Sequence, residues 1–527
     1  MITEDEVFRF GMQDKAWNKY CGFLDLSLSE FMEIQEQMMM RQIDIVYNST
    51  LSKRFMSEKP ANISAYRKTV PLTRYRDYAE YLNEKNEEVL SEKPFCWAHT
   101  SGRSGTPKWV PYTSRAVEMF SNVGVASMIL ACADKRGEVN FKSGMRILIN
   151  LPPAPYMTGL LADIIVPRLG ARVIPPPDEY ADVDFETKIR VGFAIAMREG
   201  IDVLCSMSSV LLKIAETFSD SSRSVRLNRR MLHPQILRRF LVAWLRSKRE
   251  GRQHILPRDL WPLKGLSCYG MDTSIYKEEL KRYWGKEPFE SYGATETGLI
   301  ATHAWNKKYM TFVPFFCFLE FIPEDECLKS RENDNYQPGT ILLDEVKVGE
   351  RYEMVVSNFH GMPFMRYRIG DLIKVVAMED EETGIKLPQV IFDSRADDII
   401  DIAGFARIDE KTLWQALVNT GVKYEEWSAR KETDDGKPVL RLYIELKEDM
   451  PEKELADIIH KELVVVNKDY RDVESMLGIF PLRVTLLPSG SFHGYLDKKK
   501  KEGASLAHLK PPHMNAQDTV IQTLVRP

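Results

Sequence analysis

Cysteine is scarce in this chain and nowhere paired by spacing. Cys21, Cys96, Cys132, Cys205, Cys268, Cys317 and Cys327 are scattered, odd in number and never spaced Cys-x-x-Cys. That pattern excludes a disulfide framework and a structural zinc site of the usual ligand spacing, and predicts a reducing compartment. A basic, apolar leader is missing as well, because the chain opens Met1-Ile2-Thr3-Glu4-Asp5-Glu6, so export by a signal peptide is not expected. The longest apolar run, Val123 to Ala133, falls short of the roughly 18 residues of a membrane span. Charge of one sign is also lacking. With 72 basic and 76 acidic residues the formal net charge is -4, which supplies no general attraction to nucleic acid or to an anionic membrane. These absences predict a cytoplasmic protein with no nucleic-acid and no membrane partner, and leave its oligomeric state open.

What is present is length and α/β alternation. A chain of 527 residues exceeds the size at which one core stops growing, so at least two domains are expected. From Leu28 to Phe55 apolar residues recur at helical spacing, and Tyr75 to Leu90 reads as a further helix. The β-rich runs Met145 to Asn150, Arg172 to Ile174 and Ile201 to Cys205 are each separated by enough chain for a helix, which is the signature of a parallel sheet. Ligands of such sheets sit at the carboxyl ends of the strands, here the loops Leu151 to Thr158 and Ser206 to Ser209. Nine basic residues and no acid lie between Arg223 and Arg249. Leu237, Phe240, Leu241, Trp244 and Leu245 form a helical stripe there, so the arginines read as a solvated face rather than a nucleic-acid site.

Three segments carry chemistry. Thr100-Ser101-Gly102-Arg103-Ser104-Gly105-Thr106-Pro107-Lys108 concentrates hydroxyls, glycines and one lysine, the groups that cradle phosphate through backbone N–H donors and a mobile cation. It is not a Walker A loop, because Pro107 precedes the lysine and Trp109-Val110-Pro111-Tyr112 continues as extended chain. Standing alone, it suits a solvated turn as well as a phosphate site. Ser291 to Gly298 holds Gly293, Ala294, Thr295 and Glu296; the acid suits a structural turn, or a magnesium ion beside a triphosphate. In Gly361 to Asp371, Asp371 closes a glycine turn before a strand from Leu372 to Val376, where it suits either a turn cap or a ribose diol.

Taken in order, the loop ending in Pro107-Lys108, Tyr292-Gly293-Ala294-Thr295-Glu296 and Tyr367-Arg368-Ile369-Gly370-Asp371 resemble the nucleotide motifs of the adenylate-forming superfamily of acyl-CoA synthetases, adenylation domains and luciferases. Ser394-Arg395-Ala396-Asp397-Asp398, followed by Gly404 and Arg407, resembles that superfamily's hinge between two domains. Finer features resemble the acyl acid amido synthetases of the auxin-responsive promoter family. They are Val70-Pro71-Leu72 with Tyr75, Glu320-Phe321-Ile322-Pro323, Tyr352-Glu353, and Gly503-Ala504-Ser505 with Lys510-Pro511. This chain departs from that pattern at Arg103, at Thr297 and at His508 and Pro512-His513, where the family tends to have a small polar residue, glycine, and glutamine and arginine.

The resemblance implies a large α/β N-terminal domain, residues 1–394, with mixed or parallel sheets, and a small mobile α+β domain, residues 395–527. It implies ATP and Mg2+ as cofactors and a small carboxylic acid as substrate, converted to an acyl-adenylate that then meets an amino acid. Coenzyme A is the alternative acceptor, since phenylacetate:coenzyme A ligases also carry a run like Met362 to Arg368. A non-catalytic nucleotide-binding member is a third reading. By the same resemblance Thr100, Ser101, Gly102, Ser104, Gly105, Gly293, Ala294, Thr295 and Glu296 bind nucleotide, with Glu296 on the metal and Asp371 and Arg395 on ribose or phosphate. Lys108 and Lys510 stabilise the transferring charge, and Asp397 is the pivot. Met207, Ser208, Val210 or the loop Pro152 to Met157 are candidates for the acyl pocket.

Overall fold

A computed structural model describes residues 13–100, 108–151, 154–180, 183, 185–222, 233–269, 273–333, 336–395, 398–402, 406–434, 437–467, 470–471, 480–502 and 511–525. The chain forms two compact units. The larger takes the described residues up to 369 together with 373–392, and the smaller takes 370–372 and those from 393 onward.

In the larger unit helix α1, Leu28–Val46, is started by a capping box between Ser27 and Glu30. Strands β1, Cys96–His99, and β2, Trp109–Tyr112, pair antiparallel, and helix α2, Ser114–Cys132, follows. The sequence predicts Ser114 as the cap of α2. Thr113 takes that place instead, accepting the Ala116 N–H at 3.1 Å while donating to the His360 carbonyl at 2.6 Å. By length and composition α2 could cross a membrane, yet 72% of that window is buried, so it is a core helix.

An eleven-stranded sheet follows, ordered β10-β11-β12-β13-β9-β8-β7-β6-β5-β3-β4. Its parallel half is β3, Arg146–Asn150, β4, Arg172–Ile174, β5, Val203–Met207, β6, Gly265–Tyr269, and β7, Phe289–Ala294. Helices α3, Met157–Arg168, α4, Phe185–Glu199, α5, Ser208–Ser222, α6, Pro234–Arg249, and α7, Thr273–Trp284, lie between these strands in sequence. Strands buried on both faces read as continuous apolar runs, which is why Arg146-Ile147-Leu148-Ile149 and Val203-Leu204-Cys205 were legible as strands. The other strands are β8, Gly298–His303, β9, Met310–Phe312, β10, Cys317–Pro323, β11, Arg351–Asn358, β12, Tyr367–Ala377, and β13, Gln389–Arg395.

Two expectations fail for physical reasons. Tyr75 to Leu90 is three short turns, Tyr75–Asp77, Ala79–Leu82 and Glu87–Val89, rather than one helix. The fully buried Tyr78 hydroxyl accepts the Met365 N–H at 3.0 Å, and such tertiary anchoring outweighs helical periodicity. Gly370-Asp371 is no turn. It lies inside β12, where Gly370 takes φ +83° and kinks a continuous strand.

The smaller unit is α+β, as the sequence predicts. Strands β14, Ile400–Ile402, and β15, Ala406–Ile408, form one hairpin. Strands β16, Tyr424–Asp434, and β17, Lys437–Leu446, pair antiparallel, and β18, Leu482–Leu486, joins β17 in parallel. Helices α8, Glu410–Thr420, and α9, Glu452–Val466, bury Leu413, Leu417, Leu455, Ile459 and Leu463 against Trp427, Leu442 and Ile444. Helix α10, Ser491–Lys501, presents Lys498 to Lys501 on its last turn.

Candidate functional site

At its loop end the β1–β2 hairpin is extended by the Thr100 N–H, which donates to the Lys108 carbonyl at 3.1 Å. Ser101, Gly102, Ser104 and Gly105 lie outside the described residues; Thr100 and Lys108 bracket them. The Thr100 hydroxyl oxygen is buried without a hydrogen-bond partner. Lys108 reaches Glu296, Nζ to Oε1 at 3.5 Å, and its ammonium stands 5.5 Å from the Tyr75 ring centroid. The tyrosine is fixed in turn by the Trp109 N–H, which donates to its hydroxyl at 2.7 Å.

Glu296 sits in the β7–β8 turn, and that turn is unusually constrained. A side chain at Gly293 would meet the Gly298 carbonyl oxygen at 2.2 Å, and Gly298 has φ +63° with the Phe316 ring where a Cβ would go. Thr297 closes the turn: its Oγ1 accepts the Ala294 N–H at 2.9 Å and its own N–H donates to the Ala294 carbonyl at 3.1 Å. The Thr297 departure is therefore a structural adaptation. Backbone carbonyls are pinned from two further strands, Thr295 by the Tyr112 hydroxyl at 2.7 Å and Glu296 by the Asn358 amide at 2.9 Å.

The third motif supplies a residue that sequence reasoning did not single out. The Tyr367 hydroxyl donates to Glu296 Oε1 at 3.1 Å. Burial, together with the Glu296 charge, pushes this phenol well above its ordinary value, so it remains a donor. Burial likewise raises Tyr75 to about 12. Arg368, next to Tyr367 on β12, points to the opposite face of the strand, as alternation requires, and Arg366, which precedes the strand with φ +43°, also turns away from Glu296. Arg366 forms a fork on Glu320 at 3.0 and 2.9 Å, and Arg368 one on Glu353 at 2.9 and 2.5 Å. Despite burial, hydrogen bonds from Arg368 hold the Glu353 carboxyl below its usual range. Arg366 also donates to the carbonyls of Arg67 and Val70, tying Val70-Pro71-Leu72 beside the motif. Within β12 the available signal was the alternation of Tyr367 with Arg368, whose acidic partner takes it to the other face.

In the smaller unit Arg395 Nε lies 3.5 Å from Asp371 Oδ1, so two of the expected ribose or phosphate residues come together. Asp397, Gly404 and Lys510 lie outside the described residues. Just beyond Lys510 in sequence, His513 is clamped between Glu410 at 2.5 Å and Glu426 at 2.7 Å and stacks on Trp427. The Ser428 hydroxyl and the Ala429 N–H hold the carbonyls of Pro512 and His513, each at 2.6 Å.

A small apolar pocket opens between α2, α3 and the sheet, lined by Gly124, Ser127, Ile149, Leu151, Tyr269 and Leu299 among others. Among the described residues no charged side chain lines it. The expected pocket residues Met207, Ser208 and Val210 do not line it either; Ser208 is buried in a hydrogen bond with Thr273 at 2.6 Å. Of the candidate loop Pro152 to Met157 no described residue lines it, while Leu151 and Thr158, which flank that loop, do. Among the described residues no cluster of three His, Cys, Asp or Glu could hold a metal by itself.

Three family models match: the GH3 family N-terminal domain at residues 22–162, its central domain at 310–393 and its C-terminal domain at 411–519. Relatives include a jasmonoyl–L-amino acid synthetase of Oryza sativa subsp. japonica, 26% identical over 51% of this chain and 48% of that protein. A 4-substituted benzoates-glutamate ligase of Arabidopsis thaliana is 27% identical over 41% of this chain and 38% of its own. The matched region thus spans half or less of these relatives' length. In fold the chain resembles the GH3.15 acyl acid amido synthetase in complex with 2,4-DB, with TM-score 0.66, 17% identity and coverage of 94% of this chain and 93% of that one. A 2-hydroxyisobutyryl-CoA ligase in its postadenylation state gives TM-score 0.55 at 15% identity, covering 88% and 87%. With all three family domains present in order over well over half of its length, the chain belongs to the GH3 family, on the fold of adenylate-forming enzymes.

Proposed function

We propose that this protein is an ATP-dependent acid–amino acid ligase of the cytoplasm. The observation that carries the reading is the convergence of Lys108, Glu296 and Tyr367, from three motifs far apart in sequence, on one buried carboxylate. A carboxylate does not react with an amine at neutral pH, because its leaving group would be oxide. In the proposed first half-reaction the acyl carboxylate attacks the α-phosphorus of ATP, the bond to pyrophosphate breaks, and an acyl-adenylate forms. In the second, an amino-acid amine attacks the acyl carbon, loses a proton, and AMP leaves.

The residues act by positioning and charge. Lys108, as a cation on a flexible stem, can leave Glu296 for a phosphoryl oxygen. A carboxylate oxygen held by Tyr367 is a hard donor that fits a nucleotide-borne magnesium ion, which would take its remaining ligands from phosphate and water. When bound, magnesium supplies charge neutralisation at the leaving pyrophosphate. Asp371 and Arg395 serve the ribose and phosphate, Asp397 the pivot and Lys510 the α-phosphate during adenylation, by family resemblance. The apolar cavity supports an acyl group without a second charge.

The test is a screen of carboxylic acids by ATP-dependent pyrophosphate release, with amino acids, with coenzyme A, or with neither. Release that requires an apolar acid, with amide product only when an amino acid is present, is expected. Thioester product would replace the acceptor, and no release with any acid would leave nucleotide binding alone. Glu296→Gln should lose about 100-fold or more in exchange of pyrophosphate into ATP.

A further inference from the structure

Helix α6 is turned opposite to what its stripe suggests. Leu237, Leu241, Trp244 and Leu245 follow i, i+4, i+7, i+8, and one face of a helix with that spacing is ordinarily buried. Here the buried positions are Ala243 and Ser247, Phe240 of the stripe packs half-buried against the core, and its other four residues face outward: Leu237 is 42%, Leu241 58%, Trp244 50% and Leu245 45% exposed. With Val242, this single helix carries half of the exposed large apolar side chains among the described residues. They form a patch rather than scattered single residues, and contiguous patches mark docking surfaces.

The charge around the stripe identifies what docks. Arg239 and Arg246 are committed to the protein, donating to the carbonyls of Glu199 at 2.8 Å and Asp259 at 3.1 Å. Arg238, Lys248 and Arg249 are different. All three are exposed and make no ion pair among the described residues, and they lie beside or along the stripe on the outward side. The nearby acid Glu250 is occupied by Arg252 and Arg258. A net charge of -4 averages over the whole chain; a bound surface responds only to charges within about a Debye length, roughly 8–10 Å.

We infer that α6 docks the protein on an anionic phospholipid surface, with Leu237, Leu241, Trp244 and Leu245 entering the headgroup region and Arg238, Lys248 and Arg249 meeting lipid phosphate and carboxylate. A tryptophan among leucines flanked by cations is the composition of an interfacial helix. A second copy fits less well. Four half-exposed side chains amount to roughly 400 Å², about half of the 800 Å² per partner of a stable interface, and pairing would bring like charges together. A lipid surface also suits an enzyme whose pocket is apolar, because such an acid partitions into bilayers.

The experiment is co-sedimentation of the full-length chain with vesicles of phosphatidylcholine containing about 30% phosphatidylserine, against phosphatidylcholine alone. Binding to the anionic vesicles is expected, with a blue shift of tryptophan fluorescence that is lost in Trp244→Ser. Leu241→Ser/Trp244→Ser and Arg238→Glu/Arg249→Glu should each weaken binding about tenfold or more, with pyrophosphate release from soluble acids unchanged. No binding by the wild type, or equal binding by the variants, overturns the inference. A dimer in solution that Leu241→Ser/Trp244→Ser dissolves overturns it too, by assigning the patch to a second copy. Capture by an acidic protein with no affinity for vesicles would assign it to a protein partner.

Discussion

Replacing His513 by Gln should cost stability in a way that depends on pH. The imidazole contacts Glu410 and Glu426 through its two nitrogens at 2.5 and 2.7 Å, and donating from both requires the cationic form. Its ring stacks on Trp427 with centroids 4.3 Å apart and 12° between planes, which further favours a cation. Burial pulls the imidazole toward the neutral form, but the hydrogen bonds and charges of Glu410 and Glu426 outweigh that and push it up to about 9. Relative to an ordinary value near 6.5, the displacement is equivalent to about 3 kcal/mol of stability. Because the folded value is raised, that contribution is fully present below about pH 6.5 and is lost as pH rises through about 9. Urea unfolding of the full chain at pH 7 should therefore show His513→Gln weaker by about 3 kcal/mol, with most of the gap closed near pH 10. His513→Arg keeps its charge at both pH values and should show no such closure. A gap of equal size at both values would refute the ionic clamp and leave His513 as packing against Trp427. The clamp begins three residues after Lys510, so a loosened variant should also adenylate more slowly than it transfers.

Tyr367→Phe removes the donor that holds Glu296 and should lower pyrophosphate exchange by about 10- to 100-fold, in line with a hydrogen bond to a charged group worth about 1.5–3 kcal/mol. Unchanged exchange at limiting magnesium would show that the hydroxyl only fills space. Ile149→Phe projects a larger side chain into the apolar cavity, and should shift the acid profile toward smaller acids with little change in the KM for ATP. An unaltered acid profile would place the acyl group elsewhere.

The division between what was readable and what was not follows from the range of the interactions. Strands β3 and β5 were legible because burial on both faces demands local apolar runs, and α1 because its helical spacing is sustained over Leu28–Val46. The cluster at Glu296 was legible only as three motifs, since Lys108 lies far from it in sequence and no local pattern announces a 3.5 Å contact. Tyr367 was hidden by its neighbours. Arg366 and Arg368 look like anion-binding residues until Glu320 and Glu353, supplied by β10 and β11, are found to neutralise them. Once both arginines are assigned to a structural role, the tyrosine is left as the side chain that reaches Glu296.

Helix α6 shows why a correct period does not decide orientation. Periodicity identifies an apolar stripe but not which face meets the protein, and burial of Ala243 and Ser247 is decided by what α6 packs against. Ala243 and Ser247 allow a close approach, Phe240 packs beside them against the core, and four large apolar side chains are left facing outward. The Arg239 side chain reinforces that choice by reaching back to the Glu199 carbonyl, which a rotated helix would leave without it. Four of the five apolar stripe residues, all but the core-packed Phe240, are therefore available for docking, and the arginines that sequence reasoning assigned to solvent are split between anchoring the helix and facing the same side as the stripe.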